Sequence, residues 1–191
     1  ATEADVAQAL SDAMRTLGGV PTFAIIAAGA NGAEPHHLSD ATPLQEGDVV
    51  VMDFGCTVGG YHSDITRTVT CGRASDEAHR VYETVLAAHH AARKAIAPGV
   101  ACGDVDAAAR AVIEAAGYGE FFVHRTGHGL GTRVHEEPNI VGGSDQRLEP
   151  GHCFSIEPGI YLPGRFGVRI ENIVTCTADG HVSFNEEPAE R

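Results

Sequence analysis

Residues 49–71 read Val49-Val50-Val51-Met52-Asp53-Phe54-Gly55-Cys56-Thr57-Val58-Gly59-Gly60-Tyr61-His62-Ser63-Asp64-Ile65-Thr66-Arg67-Thr68-Val69-Thr70-Cys71, two β-prone runs around a Gly-Gly pair. This pattern predicts an antiparallel hairpin of strands 48–56 and 60–71. With Val58 and Gly59 at its tip, Asp53 faces Asp64 directly. A second hairpin is expected from strands 153–161 and 167–177, turning at Pro163, Gly164 and Arg165, and it sets Glu157 opposite Glu171. Like charges placed directly opposite each other weaken a hairpin. Asp53 follows Val49-Val50-Val51-Met52 and Glu157 follows Phe154-Ser155-Ile156, contexts of a core strand in which an uncompensated charge is costly. One reading leaves these acids solvated on exposed faces; the other gives them a cation.

Four carboxylates and one imidazole make an oxygen-rich, hard donor set, and two divalent ions neutralise four negative charges. His128, within Gly127-His128-Gly129-Leu130-Gly131, is the imidazole candidate, because its flanking glycines let a bulky centre approach the backbone. A paired-metal centre lowers the pKa of a shared water and polarises a carbonyl, which is the chemistry of hydrolysis.

Outward from the hairpins, the sequence predicts a helix over 2–17 closed by Gly18 and Gly19, and a strand over 22–28. A second helix starts near Ser75, carries Val81, Val85, Ala88, Ala92 and Ile96 on one face, and stops at Pro98 and Gly99. A third helix covers 103–116, and a Phe-rich strand follows Gly117. Helices thus alternate with antiparallel hairpins in α+β order. The chain also resembles itself. A shift of 99 lays Asp5-Val6 on Asp104-Val105, Gly18 on Gly117 and His36 on His135; a shift of 104 lays Asp53 on Glu157; a shift of 107 lays Asp64 on Glu171.

With 191 residues, 43% of them apolar, the chain can bury one substantial core. Asp and Glu total 26 against 13 Lys and Arg, and the net charge of −13 disfavours nucleic acid and anionic lipid as partners. The longest apolar runs, such as 23–28, are far too short to span a bilayer. Five cysteines without a Cys-x-x-Cys pair point to an intracellular setting and to thiols used as core filler.

The strings Asp53-Phe54-Gly55, Gly60-Tyr61-His62-Ser63-Asp64-Ile65-Thr66-Arg67-Thr68, Gly127-His128-Gly129-Leu130-Gly131, Ile156-Glu157-Pro158-Gly159-Ile160-Tyr161 and Arg169-Ile170-Glu171-Asn172 closely resemble the pita-bread metallopeptidases. Within them, the match is to the Xaa-Pro dipeptidase (prolidase) and Xaa-Pro aminopeptidase branch. The resemblance implies two pseudo-symmetric halves, each with helices on a curved antiparallel sheet. It implies that Asp53 binds one ion, that Asp64 and Glu171 bridge both, and that His128 and Glu157 bind the other, with Glu157 also taking a proton from the bridging water. It assigns His36 and His135 to the substrate carbonyl, and gives His124, Arg169 and Tyr161 substrate-binding or supporting roles. Two divalent ions are implied, Mn²⁺ first with Co²⁺, Zn²⁺ or Fe²⁺ as alternatives, along with a peptide substrate carrying proline at its second position. A cytoplasmic location and a homodimer in the full-length form are also implied. Family members carry a further helix and, in this branch, an N-terminal domain, so residues 1–191 are expected to be a catalytic domain lacking both.

Other motifs carry less. Asp53-Phe54-Gly55 also spells a kinase triplet, but no His-Arg-Asp loop accompanies it. His135-Glu136-Glu137-Pro138 has no second His at zincin spacing. His89 and His90 read as surface or packing residues. Two functions stay open: an Xaa-Pro metallo-exopeptidase, and a metal-free pita-bread module with a binding or non-peptidase role.

Overall fold

The computed structural model describes residues 1–188. Helix α1 (Glu3–Thr16) begins with a capping box, in which Thr2 Oγ1 accepts from the Asp5 amide and the Asp5 carboxylate accepts from the Thr2 amide. Strand β1 (Val20–Ala28) leads through a short 3₁₀ turn to β2 (Val49–Val58), β3 (Tyr61–His62) and β4 (Ile65–Thr70). Helix α2 (Asp76–Lys94), capped by Ser75, packs on α3 (Cys102–Ala115). Strands β5 (Gly127–Gly129), β6 (Glu136–Ile140), β7 (Cys153–Ile156), β8 (Gly159–Leu162), β9 (Phe166–Arg169), β10 (Asn172–Thr177) and β11 (Gly180–Ser183) follow.

In the first sheet β2 lies between β1 and β4; in the second the order is β11-β10-β7-β5-β6, with β8 and β9 forming a separate hairpin. The larger core lies under α2 and α3 and includes Val81, Val85, Ile113, Phe154 and Ile156. A smaller one joins Ile26, Ala28 and Val50 to Val6, Ala7 and Leu10 of α1.

The internal repeat is visible in the element bounds themselves. Shifted by 99, Glu3–Thr16 becomes Cys102–Ala115; shifted by 104, the ends of β2 fall on the start of β7 and the end of β8; shifted by 107, β4 becomes β10. The one long strand of the first half is therefore broken in the second. The break falls at Glu157 and Pro158, where proline has no amide hydrogen to give a ladder.

Three expectations are corrected. The first hairpin turns at Gly59 and Gly60, both with positive φ, so Val58 pairs with Tyr61 and Asp53 pairs with Thr66 rather than with Asp64. Two glycines that accept left-handed backbone outcompete a turn centred on Val58. Because the register moves by two residues, Asp64 stays on the face of Asp53, one pleat away. Second, the Phe-rich segment after Gly117 is not a strand: Gly119–Phe121 form a 3₁₀ turn, and Phe122 enters the core from irregular chain. Third, only Cys102 and Cys176 are buried; Cys56, Cys71 and Cys153 are partly exposed, and all five are free thiols. The second hairpin keeps its expected register, Gly159 pairing with Arg169 and Ile156 with Asn172, which leaves Glu157 and Glu171 at the gap between the two ladders.

Glu3 fastens α1 to the loop that carries His36. Its fully buried carboxylate accepts from the Ala28 and Asp40 amides and from Asn31 Nδ2, and it contacts His37 Nε2 at 2.7 Å. This accounts for His37 as a structural residue. Replacing Glu3 with Ala strands several buried donors and should lower unfolding stability by about 3 kcal/mol or more in urea titration. A loss under about 1 kcal/mol would show that these hydrogen bonds contribute little.

Candidate metal centre

Between the two halves lies a cavity of about 280 Å³ lined by Phe23, Ile25, Pro35, His36, Asp53, Asp64, His124, Arg125, His128, Val134, His135, Glu157, Arg169 and Glu171. Of the residues singled out from sequence, Tyr161 alone stands behind the wall, 3% exposed. Strand pleating aims Asp53 inward from β2. Asp64 sits at the break between β3 and β4, and Glu157 and Glu171 sit at the breaks β7/β8 and β9/β10. Acids placed at ladder breaks have backbone free to bond elsewhere: the Glu157 amide donates to Thr126 O and the Glu171 amide to Thr66 O. The second bond crosses between the halves.

His128 is held by its neighbours. Gly127 and Gly129 are required by packing, since a Cβ would lie 1.9 Å from Ser155 O and 2.3 Å from Glu137 O respectively. The glycines therefore admit neighbouring backbone rather than the centre itself. Nδ1–H of His128 donates to Gly129 O at 3.0 Å, which leaves Nε2 facing Glu157 Oε1 at 3.3 Å and Asp64 Oδ2 at 3.7 Å. Asp64, His128 and Glu171 each bring a ligand atom within 4.8 Å of the others. Asp53 is engaged differently, its Oδ2 accepting from Arg169 Nη2 at 2.6 Å. His135 stacks edge-on against His128, ring centroids 4.3 Å apart.

Several contributors were not singled out from sequence. Thr66 Oγ1 donates to Glu171 Oε2 at 2.7 Å and accepts from Arg169 Nε. Ser155 Oγ donates to Glu157 Oε1 and accepts from the His128 amide. Both lie two residues from an acid, on the same pleat face, and that alternation is the signal that could have found them. Tyr161 hydroxyl accepts from Arg169 Nη1 at 2.9 Å and donates to His124 Nε2 at 2.7 Å, while His124 Nδ1–H donates to Arg125 O. A continuous chain of hydrogen bonds thus runs from Asp53 through Arg169 and Tyr161 to His124. His89 is a packing residue, fully buried on α2, whereas neighbouring His90 is exposed.

Electrostatics sets the character of the cavity. Burial, followed by the charges of Asp53 and Glu157, pushes the Asp64 carboxyl up to about 9. Burial raises Glu157, and burial together with Asp64 raises Glu171 well above the carboxylate range. Burial lowers His128, and burial with the His128 charge lowers His135. Burial also opposes the charge on Arg169, but Tyr161, Asp53 and Glu157 outweigh it and keep the guanidinium ionised. Asp53 Oδ1, Asp64 Oδ1 and Glu171 Oε1 are buried with no hydrogen-bond partner. Orphaned carboxyl oxygens beside an imidazole whose free nitrogen faces them fit hard divalent cations, which take oxygen and imidazole donors.

Among the described residues no helix is long and apolar enough to cross a membrane. Residues 1–178 match the family model for metallopeptidase family M24. The chain is 52% identical over 191 residues to the probable dipeptidase PepE of Mycobacterium tuberculosis, covering 99% of this chain and 51% of that protein. It is 48% identical over 160 residues to the Xaa-Pro dipeptidase of Lactobacillus helveticus, covering 84% of this chain and 44% of the relative. The prolidase from Pyrococcus furiosus superposes with a TM-score of 0.97 at 37% identity, over 99% of this chain and 57% of that one. The chain spans about half the length of the curated relatives it matches. A whole-chain match of this kind, with the pita-bread fold of the superposed prolidase, makes the chain a member of metallopeptidase family M24.

Proposed function

We propose that residues 1–191 form the catalytic domain of a dinuclear metal-dependent exopeptidase that hydrolyses Xaa-Pro bonds in a dipeptide or at a peptide N-terminus. The observation that carries this reading is the set of three buried carboxylate oxygens, on Asp53, Asp64 and Glu171, that have no partner within the protein. A metal-free module would have no use for them. Asp53, Asp64, His128, Glu157 and Glu171 would hold two divalent ions, Mn²⁺ in the first instance, with Co²⁺, Zn²⁺ or Fe²⁺ as alternatives for such donors. When bound, the ions supply Lewis-acid activation of a water and of the scissile carbonyl.

The remaining steps belong to the side chains. Glu157, oriented by Ser155 Oγ, takes the proton of the attacking water. His36 and His135, which both line the cavity, hold the substrate carbonyl and stabilise the charge that develops on it. Phe23, Ile25 and Val134 offer an apolar lining suited to a pyrrolidine ring. Arg169 keeps Asp53 aimed, and through Tyr161 it keeps His124 aimed. Support for the substrate class comes from the relatives named Xaa-Pro dipeptidase and prolidase. A cytoplasmic location, a homodimer in the full-length protein, and no nucleic-acid or membrane partner complete the proposal.

Elemental analysis should find up to two divalent ions per chain, and Ala-Pro or Gly-Pro should be hydrolysed in Mn²⁺. A folded protein with neither metal nor turnover overturns the reading. Asp64→Asn should weaken Mn²⁺ binding by at least about 10-fold, whereas His135→Ala should keep metal and lower kcat by about 100-fold or more. Equal effects on metal in both variants would refute this division of roles.

A pH dependence follows from the raised carboxyls. Between about pH 4 and 9 the folded metal-free protein holds a proton on Asp64 that the unfolded chain has lost, so the contribution of this carboxyl to stability falls as pH rises through that window. The slope should approach about 1.4 kcal/mol per pH unit for each such carboxyl, and Asp64→Asn should make it shallower by one carboxyl's share. Mn²⁺ uptake at pH 7 should release protons into weak buffer. The histidines whose pKa values burial lowers add stability only as pH rises toward about 7; metal-free stability that rises between about pH 7.5 and 9, or a slope there that Asp64→Asn leaves unchanged, would contradict the assignment.

A further inference from the structure

Arg67 lies on β4 in the middle of the Ser63–Thr68 stretch, yet none of the roles above uses it. Side chains alternate along a strand, so Thr66 and Glu171 face the cavity while Arg67 and Asn172 occupy the back of the same strands. From there the Arg67 guanidinium reaches four acceptors. Nη1 donates to Thr66 O at 2.9 Å and Glu171 O at 2.5 Å; Nη2 donates to Asn172 Oδ1 at 2.9 Å and Glu186 O at 2.6 Å. Two of these acceptors belong to the pair that joins the halves in front, where the Glu171 amide donates to Thr66 O and Thr66 Oγ1 to Glu171 Oε2.

We infer that Arg67 is a positioning residue: it clamps the Thr66–Glu171 junction from behind, sets the reach of the Glu171 carboxylate into the metal centre, and ties the segment at Glu186 to that junction. The inference rests on the metal-dependent reading given above. Glu171 has no continuous ladder to hold it, because it sits where β9 ends and β10 begins. Its position is therefore set by point contacts, and Arg67 contacts its carbonyl directly. A planar fork with two terminal amino groups can meet four acceptors at once; a lysine ammonium is a single point and cannot. Asn172, fully buried, passes the restraint on through its Nδ2 bond to Ser183 Oγ.

The test compares wild type, Arg67→Gln, Arg67→Lys and Asn172→Leu in the full chain. Hydrogen exchange of the Glu171 amide is followed in metal-free protein, Mn²⁺ affinity by calorimetric titration on folded material, and Ala-Pro kinetics in parallel. Arg67→Gln should speed exchange at Glu171 at least 10-fold with amides of α3 unchanged, weaken Mn²⁺ binding 10- to 100-fold, and lower kcat with KM within twofold. Arg67→Lys should recover the melting temperature but not the Mn²⁺ affinity. Asn172→Leu, which removes one of the four acceptors, should give an intermediate exchange rate and keeps the question answerable if Arg67→Gln does not fold. Wild-type exchange at Glu171 in either variant, or full recovery of Mn²⁺ affinity by lysine, overturns the inference. A wild-type chain that takes up no Mn²⁺ overturns the proposed function instead, and the exchange of Glu171 then decides the clamp by itself.

Discussion

Crowded like charge organises this protein. Asp53, Asp64, Glu157 and Glu171 line one cavity at the junction of two half-domains, where burial and the neighbouring carboxylates raise the cost of ionising Asp64 and Glu171. A fold carrying such a cluster must place the acids without letting the protein neutralise them completely. It does so by supplying one strong cation, Arg169, to one acid, hydroxyl donors to two others, and nothing to three of the remaining oxygens. Full pairing would make the cavity inert to cations, and no pairing would make it unstable.

That balance explains features that otherwise look unrelated. Three of the four acids stand where a β-ladder is interrupted, because a break frees the backbone to turn a side chain inward and to bond across the halves. The chain from Asp53 through Arg169 and Tyr161 to His124 lets one buried guanidinium orient a carboxylate on one wall and an imidazole on another. Burial pushes His128 toward its neutral form while Gly129 O fixes its tautomer, so a free lone pair points at the acids.

The internal repeat is legible in the geometry as well as in the residues. Helix α1 and helix α3 share their bounds under the 99-residue shift, and β4 and β10 under the 107-residue shift, so the acids at 64 and 171 occupy equivalent places. The halves differ where their jobs differ: β2 runs unbroken through Asp53, whereas Pro158 splits its counterpart just after Glu157. Glu157 is thereby released from a ladder, close enough to His128 for Glu157 Oε1 and His128 Nε2 to lie 3.3 Å apart.

Sequence alone determined what depends on local pattern and self-similarity: the three helices, the existence of the two hairpins, the duplicated order of His and acids, and the family those strings resemble. It misplaced the first hairpin by two residues, because a Val-Gly and a Gly-Gly turn leave the same alternation of apolar and polar positions, and only backbone conformation chooses between them. It also overlooked Thr66, Ser155 and Arg67, ordinary strand residues whose meaning comes from partners far along the chain, Thr66 and Glu171 being separated by 105 positions. Which carboxylate oxygens are satisfied and which are left bare was decided by tertiary structure, because hydrogen bonding across the two halves exists only once they have closed on each other.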